Sequence, residues 1–515
     1  MSTVDRHPTT TALEDEKDLS TTHEKDIVVA EENPEYIEFL ALSDLYQGDA
    51  LNKLTKKIDW HVLPQLVFIY LLSYIDRGNV GNAKLFGAMQ DMKMDSKMWN
   101  LGLSLFFITY AFAGPPCSIL LKKLGPKLVL SGVLLGVSLI LICSGCSGSI
   151  ASWFPLRLLL GLFEAGMYPG CAWVLTTWYT PDQIHSRHTI FYCGACLAGA
   201  FSGLLAYGIG QLDYTWGYRG WRFIYIIEGV FSTCVAVGAY FVLQETPAKQ
   251  GGWLDDQERR FLVLRNKFAY GKDKGGSADT LNKKDVLAAL TSIHVWILSF
   301  GYFCVGCWVY GLSFTIPTIM NNMGFTAADS QALSAPPYVF ATFCVVASGW
   351  FSDKYKTRAL ATVLPALMGF IGLLICVLSV THKHLVALTY VGVCLAQGGS
   401  VCLSPAFSVW TSLNAAGSGK RAVAISVAVV WVQLGGLVGS NIYLANESPA
   451  YHTGFGVSLA FLGLGNIVTP ILYWFLIGHI NGKRDKMSEE EIYEKYTAEE
   501  LQEMGDLSPL YRYER

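Results

Sequence analysis

The sequence predicts an all-α polytopic membrane protein with twelve transmembrane helices in two six-helix bundles. The first observation is composition, because 52% of the 515 residues are hydrophobic and only 15% are charged, whereas soluble domains carry about 25% charged residues. The second is that the apolar residues gather in runs of about 20, the length that a helix needs to cross a bilayer. The third is a charged stretch that divides these runs into two sets of six.

The predicted spans follow one another closely on both sides of the charged stretch. They lie near residues 62–83, 100–121, 127–148, 152–175, 188–210, 221–243, 294–318, 332–352, 359–380, 385–411, 421–444 and 454–478. Two sets of six spans joined by a charged loop are typical of a transporter built from a two-fold repeat. The predicted organisation is a disordered cytoplasmic tail at 1–55, a first bundle at 56–244, a cytoplasmic central loop at 245–290, a second bundle at 291–480 and a cytoplasmic tail at 481–515.

The segments outside the spans are polar. The first fifty residues are acidic and lack the apolar core of a signal peptide, so we expect a disordered tail and a first span that acts as the insertion signal. Residues 251–268 of the central loop alternate charged and apolar side chains, which predicts an amphipathic helix against the bundle or the membrane surface. The acidic stretch after Ser488 predicts the start of a solvated surface helix.

Basic residues gather in the loops on one side of the predicted bundles. They include Lys122, Lys123, Lys127, Arg187, Lys354, Lys356, Arg358, Lys420 and Arg421, together with the central loop. The positive-inside rule therefore predicts that both termini and the central loop are cytoplasmic. The single Asn-x-Ser/Thr sequon, at Asn446, falls in a loop that this topology places outside, so Asn446 is a predicted glycosylation site.

Four charged residues lie inside predicted spans of the first half. Asp76 and Arg77 are adjacent in the first span, and Arg157 and Glu164 lie seven residues apart in the fourth. Seven residues are two helical turns, which puts Arg157 and Glu164 on one face about 10 Å apart. A charge at the bilayer centre costs about 2.5–3.5 kcal/mol on insertion scales, so such residues usually face a cavity and pair with each other.

These four residues suggest a division of labour. Arg77 or Arg157 could hold an anionic substrate, because a guanidinium is always protonated and its planar fork matches a carboxylate. Asp76 or Glu164 could carry a proton, because a carboxyl group in a low-dielectric cavity holds its proton more readily than in water. The alternative is a pair of static ion bridges that clamp the first span to the fourth.

Other polar residues have less specific patterns. Glu228 in the sixth span could pair with Arg222 or with a loop, and Asp353 and Arg358 at the end of the eighth span are candidates for a conformational latch. Side chains of the second half that could line a site are Tyr302, Trp308, Tyr310, Tyr338, Gln397, Trp431 and Gln433. The substrate-binding candidates beside the two arginines are Asn79, Tyr310 and Gln433.

The chain shows no pattern typical of an enzyme. No Ser-His-Asp, phosphate-loop or metal-ligand spacing stands out, and no metal is expected. The thirteen cysteines lie in or beside apolar runs and are predicted to be free packing residues. A net charge of −3 does not suggest a nucleic-acid partner.

Several stretches are similar to a known family: LLSYIDRGNVGNAKL (71–85), PCSILLKKLGP (116–126), RLLLGLFEAGMYPG (157–170), GWRFIYIIEG (220–229), WLDDQERRFLVLR (253–265) and the turn at 410–424. Over about residues 55–480 the sequence resembles the major facilitator superfamily and, within it, the anion:cation symporters, with the fungal allantoate and nicotinic acid permease branch most similar. The resemblance implies the major facilitator fold, whose two bundles rock about a central site. It also implies substrate and proton roles for Asp76, Arg77, Arg157 and Glu164.

Two departures from the family pattern stand out. Gly78 occupies a position where Ser or Thr is common after the Arg, and the loop at 120–127 lacks the Asp of the superfamily signature. Neither departure argues against transport.

The resemblance implies a function as well as a fold. We expect proton-coupled uptake of a small organic anion, such as nicotinate or allantoate, by a functional monomer that uses the proton gradient and no cofactor. The expected location is a fungal plasma membrane. An exporter of a small acidic metabolite and a non-transporting nutrient sensor are the alternatives, and a membrane enzyme is the least supported class.

Overall fold

The computed structural model describes residues 34–249, 252–270, 283–355, 357–416, 418–497, 500–501 and 504–515. Twelve long helices account for most of them. In chain order these are α1 (Asp49–Leu85), α2 (Ser96–Leu124), α3 (Pro126–Cys146), α4 (Ile150–Trp178), α5 (Pro181–Gly210), α6 (Gly220–Val242), α7 (Ile293–Asn322), α8 (Ala327–Tyr355), α9 (Arg358–Ser379), α10 (Val386–Leu413), α11 (Ser418–Ile442) and α12 (His452–Arg484).

The helices have the length and composition of membrane spans. Eleven of the twelve are long and apolar enough to cross a bilayer, and α2, with 29 residues, is long enough as well. No strand occurs in the described residues. The predicted all-α fold with twelve spans is therefore confirmed.

Shorter helices lie outside the spans. They are Pro34–Leu45, Ala88–Asp91, Asp256–Tyr270, Lys283–Thr291 and Glu489–Lys495. The last of these begins as the sequence predicts, because Ser488 and Glu491 form a reciprocal capping box at its first turn.

Each half of the chain buries its own apolar core. Helices α1–α6 form the first bundle around clusters that contain Trp153 and Trp178, and helices α7–α12 form the second around a cluster that contains Trp308 and Trp410. All four indole rings are fully buried. The two bundles meet mainly along α5 with α8 and along α2 with α11.

Small residues let the bundles approach closely. A Cβ atom added to Gly203 of α5 would lie 2.6 Å from the carbonyl oxygen of Gln331 on α8. The same atom on Gly436 of α11 would lie 2.5 Å from the Phe107 ring of α2. Glycine is therefore required at both positions for this packing, as is common where membrane helices cross.

The face that holds the start of α1 and the end of α12, here called the terminal face, is covered by segments outside the spans. Helix Pro34–Leu45 packs on helix Asp256–Tyr270, where Arg260 donates two hydrogen bonds of 2.9 and 2.7 Å to Glu38. Those bonds hold the pKa of Glu38 below its usual value. The rings of Phe39 and Phe261 lie nearly parallel. Residues 34–45 and 49–55 are helical, although the sequence predicted disorder up to residue 55. Residues 34–45 are covered by a partner that is distant in the chain.

The C-terminal segment, residues 505–515, lies in the terminal face of the second bundle. The Tyr513 side chain is 3% exposed, and Asp506 accepts hydrogen bonds of 2.6 and 2.8 Å from Lys420 of α11. The Glu514 backbone exchanges two hydrogen bonds with the Asn414 side chain. A polar tail was predicted here, and the structure shows a segment fixed to the bundle.

Candidate substrate and proton site

Helix α1 places its two adjacent charges against different neighbours. Successive residues of a helix are about 100° apart around its axis, so the side chains of Asp76 and Arg77 diverge. Arg77 meets α4 and the space between the bundles, whereas Asp76 is turned towards α6. Asp76 is 1% exposed and Arg77 is 8% exposed, and the two side chains lie in separate environments.

Arg77 is held by a carboxylate, a phenol and several rings. Its Nε and one terminal nitrogen lie 2.7 and 2.6 Å from the same Glu164 oxygen. Its other terminal nitrogen donates to the Tyr310 hydroxyl at 3.1 Å. The guanidinium carbon also lies 5.0 and 4.8 Å from the ring centres of Tyr74 and Tyr110, distances that allow cation–π attraction. Tyr310 belongs to the second bundle, so Arg77 links both halves.

Glu164 lies at a break in α4. The helix runs over Ile150–Glu164, turns at Ala165–Gly166 and resumes over Met167–Trp178. One turn earlier, Gly161 lets α4 approach α2, because a Cβ atom there would lie 2.3 Å from the Phe106 carbonyl oxygen. The carboxylate is 1% exposed, and its second oxygen has no hydrogen-bond partner among the described residues.

Arg157 has a different environment from Arg77. It donates a 2.7 Å hydrogen bond to the Tyr225 hydroxyl of α6, and its guanidinium carbon lies 4.0 Å from the Trp153 ring centre. Its side chain is 4% exposed, and it does not line the central cavity. A role for Arg157 in substrate binding stays a prediction.

Three polar side chains form a second group on the far side of α1, which we call the acidic pocket: Asp76, Asn79 and Glu228. Asn79 is one turn from Asp76, and its amide nitrogen hydrogen-bonds a Glu228 oxygen. The predicted partner of Glu228 is wrong, because Arg222 instead donates to the Gly145 carbonyl oxygen. The Asn79 side chain is directed to Glu228 and does not line the central cavity, and its role in substrate binding stays a prediction.

A cavity lies between the two bundles and holds about 840 Å³ of space free of atoms, part of it continuous with solvent. Arg77 is the charged residue among the described side chains that line it. Other lining residues are Tyr74, Asn82, Tyr192, Ser202, Tyr310, Tyr338 and Gln397. Gln433 is 3% exposed, lies next to the Tyr310 hydroxyl and has an amide oxygen without a hydrogen-bond partner.

The bundles touch on both sides of this cavity. Towards the face opposite the terminal face, Asn441 of α11 donates a 2.8 Å hydrogen bond to Ser104 of α2. Towards the terminal face, the hydroxyls of Tyr168 in α4 and Ser408 in α10 lie 3.4 Å apart. Such contacts between the halves have to break when one side of the cavity opens.

Two further predicted residues lie away from the cavity. Arg358 hydrogen-bonds the Ser352 hydroxyl at 2.6 Å, whereas the Asp353 side chain lies outside the described residues. Asn446 is exposed in the connection between α11 and α12, on the face opposite the terminal face. The latch and the glycosylation site stay predictions.

The sequence analysis did not identify all the residues that line the central cavity. Asn82 of α1 donates a 2.8 Å hydrogen bond to the Ser202 hydroxyl of α5, and both residues face the cavity. Tyr74 lies one turn before Arg77, and Asn82 lies five residues after it. Helical spacing from Arg77 could have identified Tyr74, but the Ser202 contact depends on how α5 is rotated.

Two bundles of six membrane helices around a central cavity with a buried charge define a secondary transporter. The family model described as Major Facilitator Superfamily matches residues 66–440. The chain belongs to the major facilitator superfamily, and it is a multi-pass membrane protein with the transporter fold of that family.

Curated proteins with similar sequences include fungal transporters. The chain is 37% identical over 486 residues to "MFS-type transporter cnsO" of Penicillium expansum, with 93% of each chain covered. It is 26% identical over 476 residues to the "High-affinity nicotinic acid transporter" of Saccharomyces cerevisiae, with 90% of this chain and 84% of that protein covered.

Solved structures share the fold. The crystal structure of a bacterial homolog of the human lysosomal transporter Spinster, inward-facing and unoccupied, matches with a TM-score of 0.58. The sequence identity is 17%, and the match covers 79% of this chain and 93% of the bacterial one. At that identity the match supports the fold alone.

Proposed function

We propose that this protein is a proton-coupled importer of small organic anions and that Arg77 binds the carboxylate of the substrate. The observation that carries the proposal is the position of Arg77, which contributes a full positive charge to a cavity otherwise lined by neutral described side chains. A buried guanidinium offers paired donors that match a planar carboxylate. An anion in the cavity would find its one strong partner there.

Glu164 couples proton binding to substrate binding. Both Arg77 nitrogens that contact Glu164 reach a single oxygen, so this carboxylate occupies the donors that a substrate needs. Two carboxylates compete for one guanidinium. Uptake of a proton by Glu164 removes its charge, weakens its hold on Arg77 and frees those donors for the substrate. Proton and substrate would then load together, which is symport.

The cavity walls suggest the kind of anion. Tyr74, Tyr192, Tyr310 and Tyr338 contribute rings with hydroxyl groups, and such rings hold planar ligands by stacking and hydrogen bonding. The relative described as a nicotinic acid transporter is consistent with a planar monocarboxylate. We propose a monocarboxylate of the vitamin or ureide type, with nicotinate and allantoate as the first compounds to test.

The test is uptake of labelled organic acids by cells that express the protein, at acidic and at neutral external pH. Arg77→Lys is compared with wild type, because lysine keeps the charge but loses the planar fork. The matched control is Arg259→Lys, since Arg259 forms an exposed ion pair with Asp256, and such pairs contribute about 0–1 kcal/mol. Surface labelling verifies that every variant reaches the membrane.

We expect acid-stimulated uptake of at least one monocarboxylate by wild type and by the control, and a large loss in Arg77→Lys. Absence of uptake for every compound, with the protein at the surface, would contradict the importer proposal. Release of substrate from preloaded cells in that case would favour the exporter instead. Uptake that Arg77→Lys leaves unchanged would contradict the assignment of the anion site.

A further inference from the structure

We propose that the acidic pocket is a proton-binding site in which Asp76 and Glu228 act together, with Asn79 as a positioning residue between them. The inference deepens the proposed function, on which its transport test depends, because it assigns protons to a site separate from the Arg77–Glu164 ion pair. Glu228 thereby becomes a functional residue and not a structural one.

The first observation is a surplus of buried acceptors. Both Asp76 oxygens, the Asn79 side-chain oxygen and one Glu228 oxygen are buried without a hydrogen-bond donor among the described residues. Asp76, Asn79 and Glu228 are 1%, 0% and 6% exposed. A buried acceptor without a donor costs about 1–3 kcal/mol, and more when it is charged. Four such oxygens in one pocket are too costly unless something donates to them.

Protons satisfy this surplus. A proton on either carboxyl group turns one acceptor oxygen into a donor, which can then bond a second acceptor. Two protons, one on Asp76 and one on Glu228, would therefore supply partners for all four oxygens. The Ser232 hydroxyl lies beside Asp76 without hydrogen-bond geometry, and its rotation would satisfy one oxygen at most.

The charges around the pocket also favour protons. Arg77, the nearest cation along the chain, is bound to Glu164, and Arg157 bonds the Tyr225 hydroxyl. Asp76, Glu164 and Glu228 repel one another as carboxylates. The core of the bundle holds three acids and two guanidiniums, so the first of the two protons makes the group neutral.

The other helices around the pocket bring no further charge. Helix α3, which packs along α6, has no Asp, Glu, Lys, Arg or His at 128–146, and α5 has none at 189–210. The weaker titratable groups on these stretches are Cys143, Cys146, Tyr192, Cys193, Cys196 and Tyr207. Asp76 and Glu228 therefore titrate mainly against each other and Glu164.

A metal cation is the competing occupant, because carboxylate and amide oxygens are also ligands for hard cations. The pocket offers it little room, since neither Asp76, Asn79 nor Glu228 lines the central cavity. The Asn79 amide nitrogen also points into the group as a donor to Glu228, which a cation would repel. A proton needs neither space nor a change in these contacts.

The direct test requires no substrate. Infrared spectra of the purified protein record the C=O stretch of protonated carboxyl groups during a pH titration, with and without sodium. We expect protonated carboxyl signal at neutral pH in wild type, and loss of part of it in both Asp76→Asn and Glu228→Gln. Glu447→Gln is the control, because Glu447 is hydrogen-bonded to Thr453 in a surface connection. A signal unchanged in both pocket variants, or abolished by sodium in wild type, would overturn the proposal.

The transport test separates a proton site from a structural role. We expect acid to stimulate uptake by Glu228→Gln less than uptake by wild type, because Glu164 still binds a proton, while exchange of internal for external substrate continues. Glu228→Asp, which keeps a titratable group, should regain acid stimulation. Normal acid stimulation in Glu228→Gln would overturn the inference and leave the importer proposal intact. Absence of any wild-type uptake would contradict the importer proposal alone, because the infrared result stands without it.

Discussion

Replacing Lys420 by Met should release the C-terminal segment from the second bundle. Lys420 and Asp506 form a buried ion pair with N–O distances of 2.6 and 2.8 Å, and their side chains are 8% and 3% exposed. Methionine has a similar length but no charge. The variant therefore leaves the Asp506 carboxylate buried, and among the described residues the Tyr513 hydroxyl at 3.2 Å is its remaining side-chain donor.

The size of the effect follows from that burial. Removing one partner of a buried pair costs about 3–5 kcal/mol, because the other charge stays unpaired. The segment can avoid the cost by leaving the bundle, which returns Asp506 to water. At 1.4 kcal/mol for each factor of ten, the docking equilibrium shifts towards the released segment by on the order of 100- to 4,000-fold.

Hydrogen–deuterium exchange with mass spectrometry measures this release. The backbone N–H groups of Tyr513 and Glu514 donate to the side chains of Asn481 and Asn414, so docking protects them. We expect fast exchange of both amides in Lys420→Met and slow exchange in wild type. The double variant Lys420→Met/Asp506→Leu should recover much of the protection, because it leaves no charge unpaired.

The matched control is Arg512→Met in the same segment. Arg512 pairs with Asp485 at 2.7 Å, but the two side chains are 41% and 61% exposed, and an exposed pair contributes about 0–1 kcal/mol. Its exchange should stay close to that of wild type. Equal protection in Lys420→Met and wild type would refute the view that the buried ion pair holds the segment.

Three further predictions concern coupling, packing and topology. Glu164→Gln imitates the protonated acid, so acid should stimulate uptake less than in wild type while substrate exchange continues. Acid stimulation equal to that of wild type would contradict the coupling role. Gly306→Ala places a Cβ atom 2.0 Å from the Val432 carbonyl oxygen. This overpacking should cost about 1–3 kcal/mol and lower the melting temperature of the purified protein. Gly456→Ala is the control and should leave the melting temperature unchanged, because the space around Gly456 is open. Asn446→Gln should abolish a glycosidase-sensitive shift in gel mobility, and an unglycosylated wild type would contradict the predicted outside position of that loop.

The architecture was accessible from the sequence because apolar run length determines whether a helix spans a membrane. The four charges of the first half were identified for a related reason, since charged residues are few in apolar runs and conspicuous there. Their partners were not accessible. Asp76 and Arg77 are adjacent in the chain, and the rotation of α1 against α4 and α6 decides that Arg77 meets Glu164 while Asp76 faces Glu228. No sequence pattern within one helix predicts how that helix is rotated against its neighbours.

The covering segments of the terminal face were also missed, because their stability comes from distant partners. Arg260 and Glu38 are 222 residues apart, and neither segment is apolar enough to predict burial alone. The C-terminal segment likewise depends on side chains from several helices of the second bundle, including Asn414, Lys420 and Asn481. Composition predicts how a segment behaves alone and cannot anticipate such partners.

The covers on the terminal face have a mechanical consequence. Helix Asp256–Tyr270 contacts the first bundle, because Glu258 pairs with Lys57 and Arg265 donates to the Trp178 carbonyl oxygen. The contacts described for residues 505–515 all lie on the second bundle. These segments therefore stabilise each bundle separately, and none of these contacts joins one bundle to the other. Release of one covering segment should therefore make a single bundle more flexible and its movement less complete, while the other bundle keeps its shape.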